Sequence, residues 1–538
     1  MVSARRSTPL LAAIIASCAM VLSLTACTSD NKTVVDGQTT VTSNSAGGVA
    51  VFTPSDGITL NQQTPLNKWA KLVPDLAKAL ADAGFKKGDI DHTTSDSLAK
   101  QSRAIQDFVV DHLSNNTTDD SGIAIAPDNM TLLVAPVVEA DASTRQYGDY
   151  VSQNLSTNDA TDGEATSDGE SSEDDSSNTE SDSTASDEQA QAVDRLVSSL
   201  KLAKESGMHV VLLGNSIEGY KPDAFVKFSD AQTIGKLQAE KMVSKLKLDK
   251  ASKDNPKYIE VLLPYTAMDE KGNANDSTFA QEAFRGIWQV LGSYYQKGVV
   301  ESPSGTLDGK STENDWQAVA YDAAKEGSTA KVLDKRLAKT DGQSTLTRID
   351  GIITMNDYIA SEVVKELDDL GYTGSAADIN PQITISGIVG NITGKKDLSR
   401  DAVPDPIKSP ENDNANDSSS SDDDADKDTS ASDKDRDSQW PLVTGYGAYV
   451  SNIPSIVNGK QWMTGMEDRQ TIATDIAQAC AKLNKDEALN SMPSIRNSEV
   501  GGVKKIPTIS EPLLAVSASN LKSALIDPGY ISLADAGL

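Results

Sequence analysis

Cysteine is almost missing from this chain, with three residues in 538. Two of them, Cys18 and Cys27, fall in the first 30 positions, so Cys480 alone is left for a folded region and an intramolecular disulfide framework is excluded. Histidine is equally scarce (His92, His112 and His209), and with so few imidazoles and thiols no transition-metal site is expected. Basic charge is short as well. There are 49 Lys and Arg against 79 Asp and Glu, a net charge of −30, which argues against nucleic acid as a partner because its phosphates need cations. The motifs of common chemistry are also missing: no Gly-x-Ser-x-Gly elbow, no His-Glu-x-x-His and no Gly-x-x-x-x-Gly-Lys phosphate loop. The loop Gly214-Asn-Ser216-Ile-Glu-Gly219 has no His placed to activate its serine. An enzyme is therefore not expected, nor a cofactor. A long apolar run is absent too. The stretch from Pro9 to Leu24 stops short of the ~20 residues that a membrane-spanning helix needs.

What stands at the N-terminus has its own logic. Arg5-Arg6 is followed by that short apolar run, then by Leu24-Thr25-Ala26-Cys27, after which the sequence turns polar. A basic start, an apolar core and small residues before a cut describe a secretory signal over residues 1–26. The Leu-x-Ala-Cys ending resembles the lipobox of bacterial lipoproteins. That resemblance implies that Cys27 is acylated, becomes the first mature residue and holds the chain to the outer face of a membrane. Residues 27–47 then read as a lipidated tether, rich in Thr, Ser, Asn and Asp and without periodicity.

Two further polar tracts, 154–190 and 404–439, contain runs such as Asp168-Gly-Glu-Ser-Ser-Glu-Asp-Asp and Ser418-Ser-Ser-Ser-Asp-Asp-Asp. They lack the apolar surface to offset the entropy of ordering and are expected to be disordered spacers. Apart from them, short apolar strands alternate with amphipathic helices. Strands are expected at Gly48–Phe52, Met130–Ala135, Met208–Leu213, Tyr258–Leu263, Gly351–Thr354 and Gln382–Ser386. Helices are expected at Leu66–Gly84 (with Leu72, Leu76 and Leu80 on one face and Pro74 inside), Ala192–Ser206, Thr233–Leu246, Ser277–Gln296, Trp316–Arg336, Ile359–Leu370 and Gln470–Leu483. Strands joined by crossover helices give α/β architecture with doubly wound parallel sheets, and the folded length suits two such sheets in two lobes.

Three stretches carry a closer likeness: Ala224-Phe-Val-Lys-Phe-Ser-Asp-Ala-Gln-Thr-Ile-Gly-Lys-Leu-Gln-Ala239, Asp350-Gly-Ile-Ile-Thr-Met-Asn356-Asp357, and the tail Gly502-Val-Lys-Lys-Ile-Pro507-Thr-Ile-Ser-Glu-Pro512-Leu-Leu-Ala-Val516 with Leu525-Ile-Asp-Pro-Gly-Tyr530. In order and spacing they resemble the type I periplasmic solute-binding proteins of ABC transporters, specifically the xylose- and multiple-sugar-binding group. The resemblance implies two lobes joined by a multi-strand hinge: 48–229 as the first lobe with its acidic insertion, 230–445 as the second with its own, and 446–538 as hinge return, a first-lobe helix and a final hinge strand. It also implies a mono- or oligosaccharide held in the cleft and passed to an ABC transporter permease. By position the ligand residues would be Lys68, Trp69, Asn215, Asp276, Asn356, Asp357 and Asn391. Each has a plainer alternative. Trp69 suits a core, and Asn215, Asn391, Asp276 and the Asn356-Asp357 pair suit helix starts, which such side chains cap. The sequence also departs from the group. Gly214-Asn215 stands where the group has Asp-Arg, Ile388-Val389 where it has Gln-Asp, and no Lys or Gln is evident around Thr444–Gly447. These departures leave open an alternative, a non-transporting sensor or interaction lipoprotein with a degenerate sugar site.

Overall fold

The computed structural model describes residues 46–55, 65–115, 129–138, 146–156, 180–268, 275–323, 325–338, 346–376 and 440–538. All of them belong to one compact unit, Ser45–Leu538. The signal, Cys27, residues 157–179, the strand expected at Gln382–Ser386, Ile388-Val389, Asn391 and the tract 404–439 lie outside the described residues.

The first run of strands is β1 (Gly48–Pro54), β2 (Ile90–Ser95), β3 (Met130–Val134), β4 (Asn154–Leu155), β5 (His209–Leu213), β6 (Ser216–Ile217) and β7 (Ala224–Lys227). The second is β8 (Lys257–Val261), β9 (Leu263–Pro264), β10 (Val300–Glu301), β11 (Ala320–Tyr321), β12 (Gly351–Ile353), β13 (Leu442–Tyr446) and β14 (Met463–Met466), and β15 (Ile495–Val500), β16 (Val503–Ser510) and β17 (Leu514–Ser517) close the chain. Thirteen of them assemble into a seven-stranded sheet, β15-β16-β7-β5-β3-β1-β2, and a six-stranded sheet, β10-β8-β12-β13-β14-β17, while β4 pairs with β6 and β9 with β11. Both are parallel apart from the last pairing of each, β15 with β16 and β14 with β17.

Side chains alternate across each strand, so each sheet feeds two cores. In the first sheet Val49 and Val51 face one side. There they pack with Leu72, Leu76 and Leu80 of α1 (Trp69–Asp82) and with Ile472, Ile476 and Cys480 of a later helix. Ala50 and Phe52 face the other side, against α2 (Leu98–Asn115) and α3 (Glu180–Glu205). The 72/76/80 spacing read from sequence is thus the buried stripe of α1, each leucine contributing about 2 kcal/mol of burial. The second sheet is covered by α4 (Ala231–Leu246) and α5 (Thr278–Gln296) on one face, and by α7 (Ser328–Arg336) and α8 (Asp357–Asp369) on the other.

Helices α4 and α5 meet at two glycines. A Cβ on Gly286 would stand 2.0 Å from the Gln232 carbonyl oxygen, and one on Gly235 would stand 2.2 Å from the Ala283 carbonyl oxygen. The neighbours are backbone and cannot rotate away. Gly286→Ala is expected to cost about 1–3 kcal/mol of stability, the usual range for overpacking, measurable as a lower urea midpoint at unchanged slope.

Two expectations need correction. The helix read over Trp316–Arg336 is interrupted. Residues Trp316–Val319 form a single turn, α6, and Ala320–Tyr321 then leave it to pair in parallel with Leu263–Pro264 before α7 begins at Ser328. The tract expected to be disordered from 154 to 190 is structured at both ends. Asn154–Leu155 pair with Ser216–Ile217, and α3 begins at Glu180, ahead of the expected Ala192. In α1 the chain starts helical at Trp69, because Lys68 is extended, and runs on through Pro74.

The polypeptide passes between the sheets three times: at Phe228–Asp230 between β7 and α4, at Glu467–Asp468 between β14 and α10 (Arg469–Leu483), and at Glu511–Leu513 between β16 and β17. Before the second of these, the short helix α9 (Ile453–Val457) follows β13. The first two crossings are fastened to each other. The Ser229 backbone N–H donates to Glu467 Oε1 (2.6 Å), and the Tyr446 hydroxyl reaches the same oxygen (3.2 Å) and the Ser229 hydroxyl. Burial pushes the Glu467 carboxyl up to about 7, against the hydrogen bonds that lower it.

Candidate functional site

In open parallel sheets, sites form beyond the carboxyl ends of the strands, where helix N-termini and loops converge. Lys68 and Trp69 begin α1, which follows β1. Asn356 and Asp357 begin α8, which follows β12. Asn215 follows β5. Three chain segments thereby bring five of the sequence-derived residues to the carboxyl ends of the two sheets.

Trp69 is 3% exposed. Its ring meets Tyr150 edge-on at 5.1 Å and Phe228 at 5.8 Å, while Tyr150 stacks on Phe228 at 4.8 Å. Lys68 Nζ is 2.7 Å from Asp149 Oδ1, and the Trp69 backbone N–H donates to Asp149 Oδ2 at 3.1 Å. Trp69 is thus packed into the core of the first lobe, with Tyr150 and Phe228 in the same buried cluster.

The second lobe presents Asn356 through an unusual backbone. After β12, Met355 adopts a left-handed conformation (φ 68°), uncommon for a side chain of its size, and its carbonyl is held by Gln238 Nε2 at 2.9 Å. Asn356 then caps α8, its Oδ1 accepting from the Ile359 N–H at 2.9 Å, and its Nδ2 donates across the seam to Gln146 Oε1 at 3.1 Å. Tyr449, after β13, donates its hydroxyl to the Gln146 carbonyl at 2.7 Å.

Asp357 does something else. It is fully buried, and its carboxylate accepts from Gln461 Nε2 (2.6 Å), Thr464 Oγ1 (2.8 Å) and the Tyr449 N–H (2.9 Å). Its own carbonyl accepts from Asn452 Nδ2 at 2.7 Å. Burial raises this carboxyl to about 6, and the donors hold it from rising further. Asp357 is thus a clasp that binds α8 to the segment after β13, its carboxylate engaged by three donors of the chain itself.

Asn215 caps no helix. Its Oδ1 accepts from the Gln153 N–H (3.0 Å) and its Nδ2 donates to the Pro136 carbonyl (2.9 Å), linking the ends of β3, β4 and β5. Asp276 is exposed and folds back on Thr278, accepting from its N–H at 2.9 Å and its hydroxyl at 2.7 Å, one residue ahead of Ser277, which holds the cap position of α5. Asn391 lies outside the described residues.

The sequence reading missed the segment Gln146–Gln153. The signal it offered was Tyr147-Gly148-Asp149-Tyr150, two aromatics flanking a glycine and a carboxylate in polar surroundings. Also unforeseen is a groove of about 590 Å³ at the carboxyl ends of β9 and β11, lined by Tyr265, Thr266, Trp316, Gln317, Asp322 and Lys325. Among the described residues no cluster of His, Cys, Asp and Glu is arranged to hold a metal ion, and no helix is long and apolar enough to cross a membrane.

No family model and no curated protein sequence matches the chain. Solved structures similar to it include an ABC transporter solute-binding protein from Clostridium phytofermentans with bound β-D-glucose (17% identity, 91% of this chain and 99% of that one, TM-score 0.45). A carbohydrate transporter solute-binding protein from Chloroflexus aurantiacus in complex with D-glucose is also similar (18%, 92% and 98%, TM-score 0.43), as is a periplasmic ribose ABC transporter protein from Conexibacter woesei (13%, 90% and 96%, TM-score 0.43).

Proposed function

We propose that this chain is an extracytoplasmic solute receptor, held to the membrane by lipid on Cys27, that takes a mono- or oligosaccharide between its lobes and hands it to an ABC transporter permease. The observation that carries this reading is the convergence, at the carboxyl ends of two parallel sheets joined by three crossings, of side chains suited to a polyol. Trp69, Tyr446 and Tyr449 bring rings there, and Lys68, Asn356 and Asn215 bring hydrogen-bonding groups, each packed or paired within the chain itself. Three short crossings suit hinge closure over a ligand. Nothing in the arrangement supplies a nucleophile with a base beside it, so binding without turnover is the activity proposed.

A second reading, a non-transporting sensor or interaction lipoprotein, is favoured by one specific observation: Trp69, Asn215 and Asn356 are all buried by the chain itself. One measurement separates the two. The full chain is melted against a panel of pentoses, hexoses and short oligosaccharides. A ligand at 100 times its Kd adds about 2.7 kcal/mol to a folded receptor, so the melting temperature is expected to rise by several degrees with one sugar class. A cooperative melt that no sugar moves would favour the interaction protein.

A further inference from the structure

The seam between the lobes already has an occupant. The segment Gln146–Gln153, between β3 and β4, meets the described seam residues one after another. Gln146 takes the Asn356 amide and the Tyr449 hydroxyl. The Tyr147 ring lies 4.7 Å from Phe279 and 6.3 Å from Tyr446, within the apolar cluster of the second lobe. Asp149 takes Lys68 and the Trp69 N–H, Tyr150 packs on Trp69 and Phe228, and the Gln153 N–H reaches Asn215. A segment that follows a first-lobe strand thus makes a ring contact, an amide contact and an ion pair where a small polar ligand would make them.

No ladder or helical repeat holds this segment, since residues 146–153 belong to no strand or helix. It is held by single hydrogen bonds, from the Asp149 N–H to the Asn67 carbonyl (2.8 Å), the Ser152 N–H to the Ser229 carbonyl (3.1 Å), the Gln153 N–H to Asn215, the Ser216 N–H to the Gln153 carbonyl (2.9 Å) and the Tyr150 hydroxyl to the Lys68 carbonyl, and by the burial of Tyr147, Tyr150 and Val151. Gly148 makes the fit possible. It is left-handed (φ 94°), and a Cβ there would stand 2.7 Å from the Asn67 carbonyl oxygen.

Building on the receptor reading above, we propose that Gln146–Gln153 is a resident stand-in that the solute must displace, and that the solute is an acidic sugar. The charge requirement comes from Lys68. Its side chain is 18% exposed and that of Asp149 is 19% exposed, so the pair is largely removed from water. When the segment leaves, the Asp149 carboxylate leaves with it. A ligand seated in the segment's place covers the ammonium again, and a covered ammonium without a counter-charge is costly, so the incoming ligand has to return a negative charge to it. A uronic acid does this and still offers hydroxyls to Asn356 and a sugar face to the aromatic rings. A neutral hexose cannot.

The experiment titrates the full chain with D-galacturonate and D-glucuronate, and with D-galactose and D-glucose, by calorimetry, while hydrogen exchange follows the amides of Asp149, Ser152 and Gln153. One uronate is expected to bind at least about tenfold more tightly than its neutral counterpart, as a charge-assisted contact requires, and its binding should speed exchange at those three amides. Gly148→Val is expected to unseat the segment and strengthen uronate binding about tenfold, because less of the protein is in the occupied state. Asp149→Asn, which keeps the shape, should strengthen it severalfold should Gly148→Val fail to fold. Lys68→Gln should abolish the preference for the uronate. A neutral sugar that binds as well as its acid, or ligand binding that leaves the three amides protected, overturns the stand-in and leaves the receptor reading in place. No sugar binding in the wild type and none in a folded Gly148→Val whose amides exchange freely would remove the receptor reading, and the stand-in with it.

Discussion

Asp357→Ala is expected to lower the unfolding free energy by about 4 kcal/mol at neutral pH, among the largest losses available to a single polar residue in this chain. The carboxylate is fully buried and accepts from Gln461, Thr464 and the Tyr449 N–H. Truncation leaves these donors without an acceptor in a place that solvent does not reach, and each unpaired donor costs about 1–3 kcal/mol, only part of which relaxation recovers. The damage spreads because the three donors lie on three different segments: Tyr449 after β13, Gln461 before β14, and Thr464 within it. Asp357→Asn should be intermediate. Its one remaining oxygen can keep part of the network, while its new N–H₂ faces the Gln461 N–H₂. Urea denaturation of the full chain decides the matter. A loss under about 1 kcal/mol, with sugar binding nonetheless abolished, would return Asp357 to the role of ligand contact.

The second large effect is a dependence on pH located at the hinge. Glu467 is buried between two crossings, with the Tyr446 hydroxyl on its carboxyl and Asp230 as the nearby like charge. Its folded-state pKa of about 7 lies above the ordinary 4.5, because burial disfavours the ion. The folded state therefore binds the proton more tightly than the unfolded state does. That stability is fully present below about pH 4.5 and is lost as the pH rises through about 7, a swing of about 3 kcal/mol. The wild type should consequently melt at a higher temperature at pH 5 than at pH 8, and Glu467→Gln should flatten the part of the profile between those values. Asp357, raised to about 6, contributes in the same direction over the lower part of that window, so the variant flattens the curve without levelling it. A Glu467→Gln profile parallel to the wild type would show that the hinge carboxyl is not the titrating group.

Much of this architecture was legible from periodicity, and the failures have local causes. The stripe of Leu72, Leu76 and Leu80 fixes the buried face of α1, since nothing competes with a 3.6-residue repeat there. At Trp316–Arg336 the same spacing misleads. The run Trp316, Val319, Ala320 continues as a helix by pattern, yet Ala320–Tyr321 find a strand partner in Leu263–Pro264, more than 50 positions earlier. A window of a dozen residues carries no information about that partner. In the site, Lys68, Trp69 and Asn356 were named from the family resemblance by position, and the structure places them at strand-to-helix junctions on one side of each sheet. Their actual partners were not found. Gln146, Asp149 and Tyr150 belong to an irregular segment whose contacts are set entirely by tertiary packing. The same limit explains Asp357, for which a position at a helix start is compatible with both solvent and core.

The seven-stranded sheet has a consequence for how the protein is made. Five of its strands lie within residues 48–227, but its two remaining strands, β15 and β16, come from residues 495–510, and α10, which covers one face, comes from 469–483. A nascent chain therefore carries most of this sheet, with β7 unpaired on one side and one apolar face covered by α1 but not yet by α10, through the synthesis of the whole six-stranded sheet apart from β17. During biosynthesis the lobe begun first waits for almost all of the other lobe before its own last strands are made. A chain stopped before residue 495 would display an open sheet edge able to pair with its neighbours, so termination between the end of β14 and that point should yield aggregation and not a shortened but functional protein.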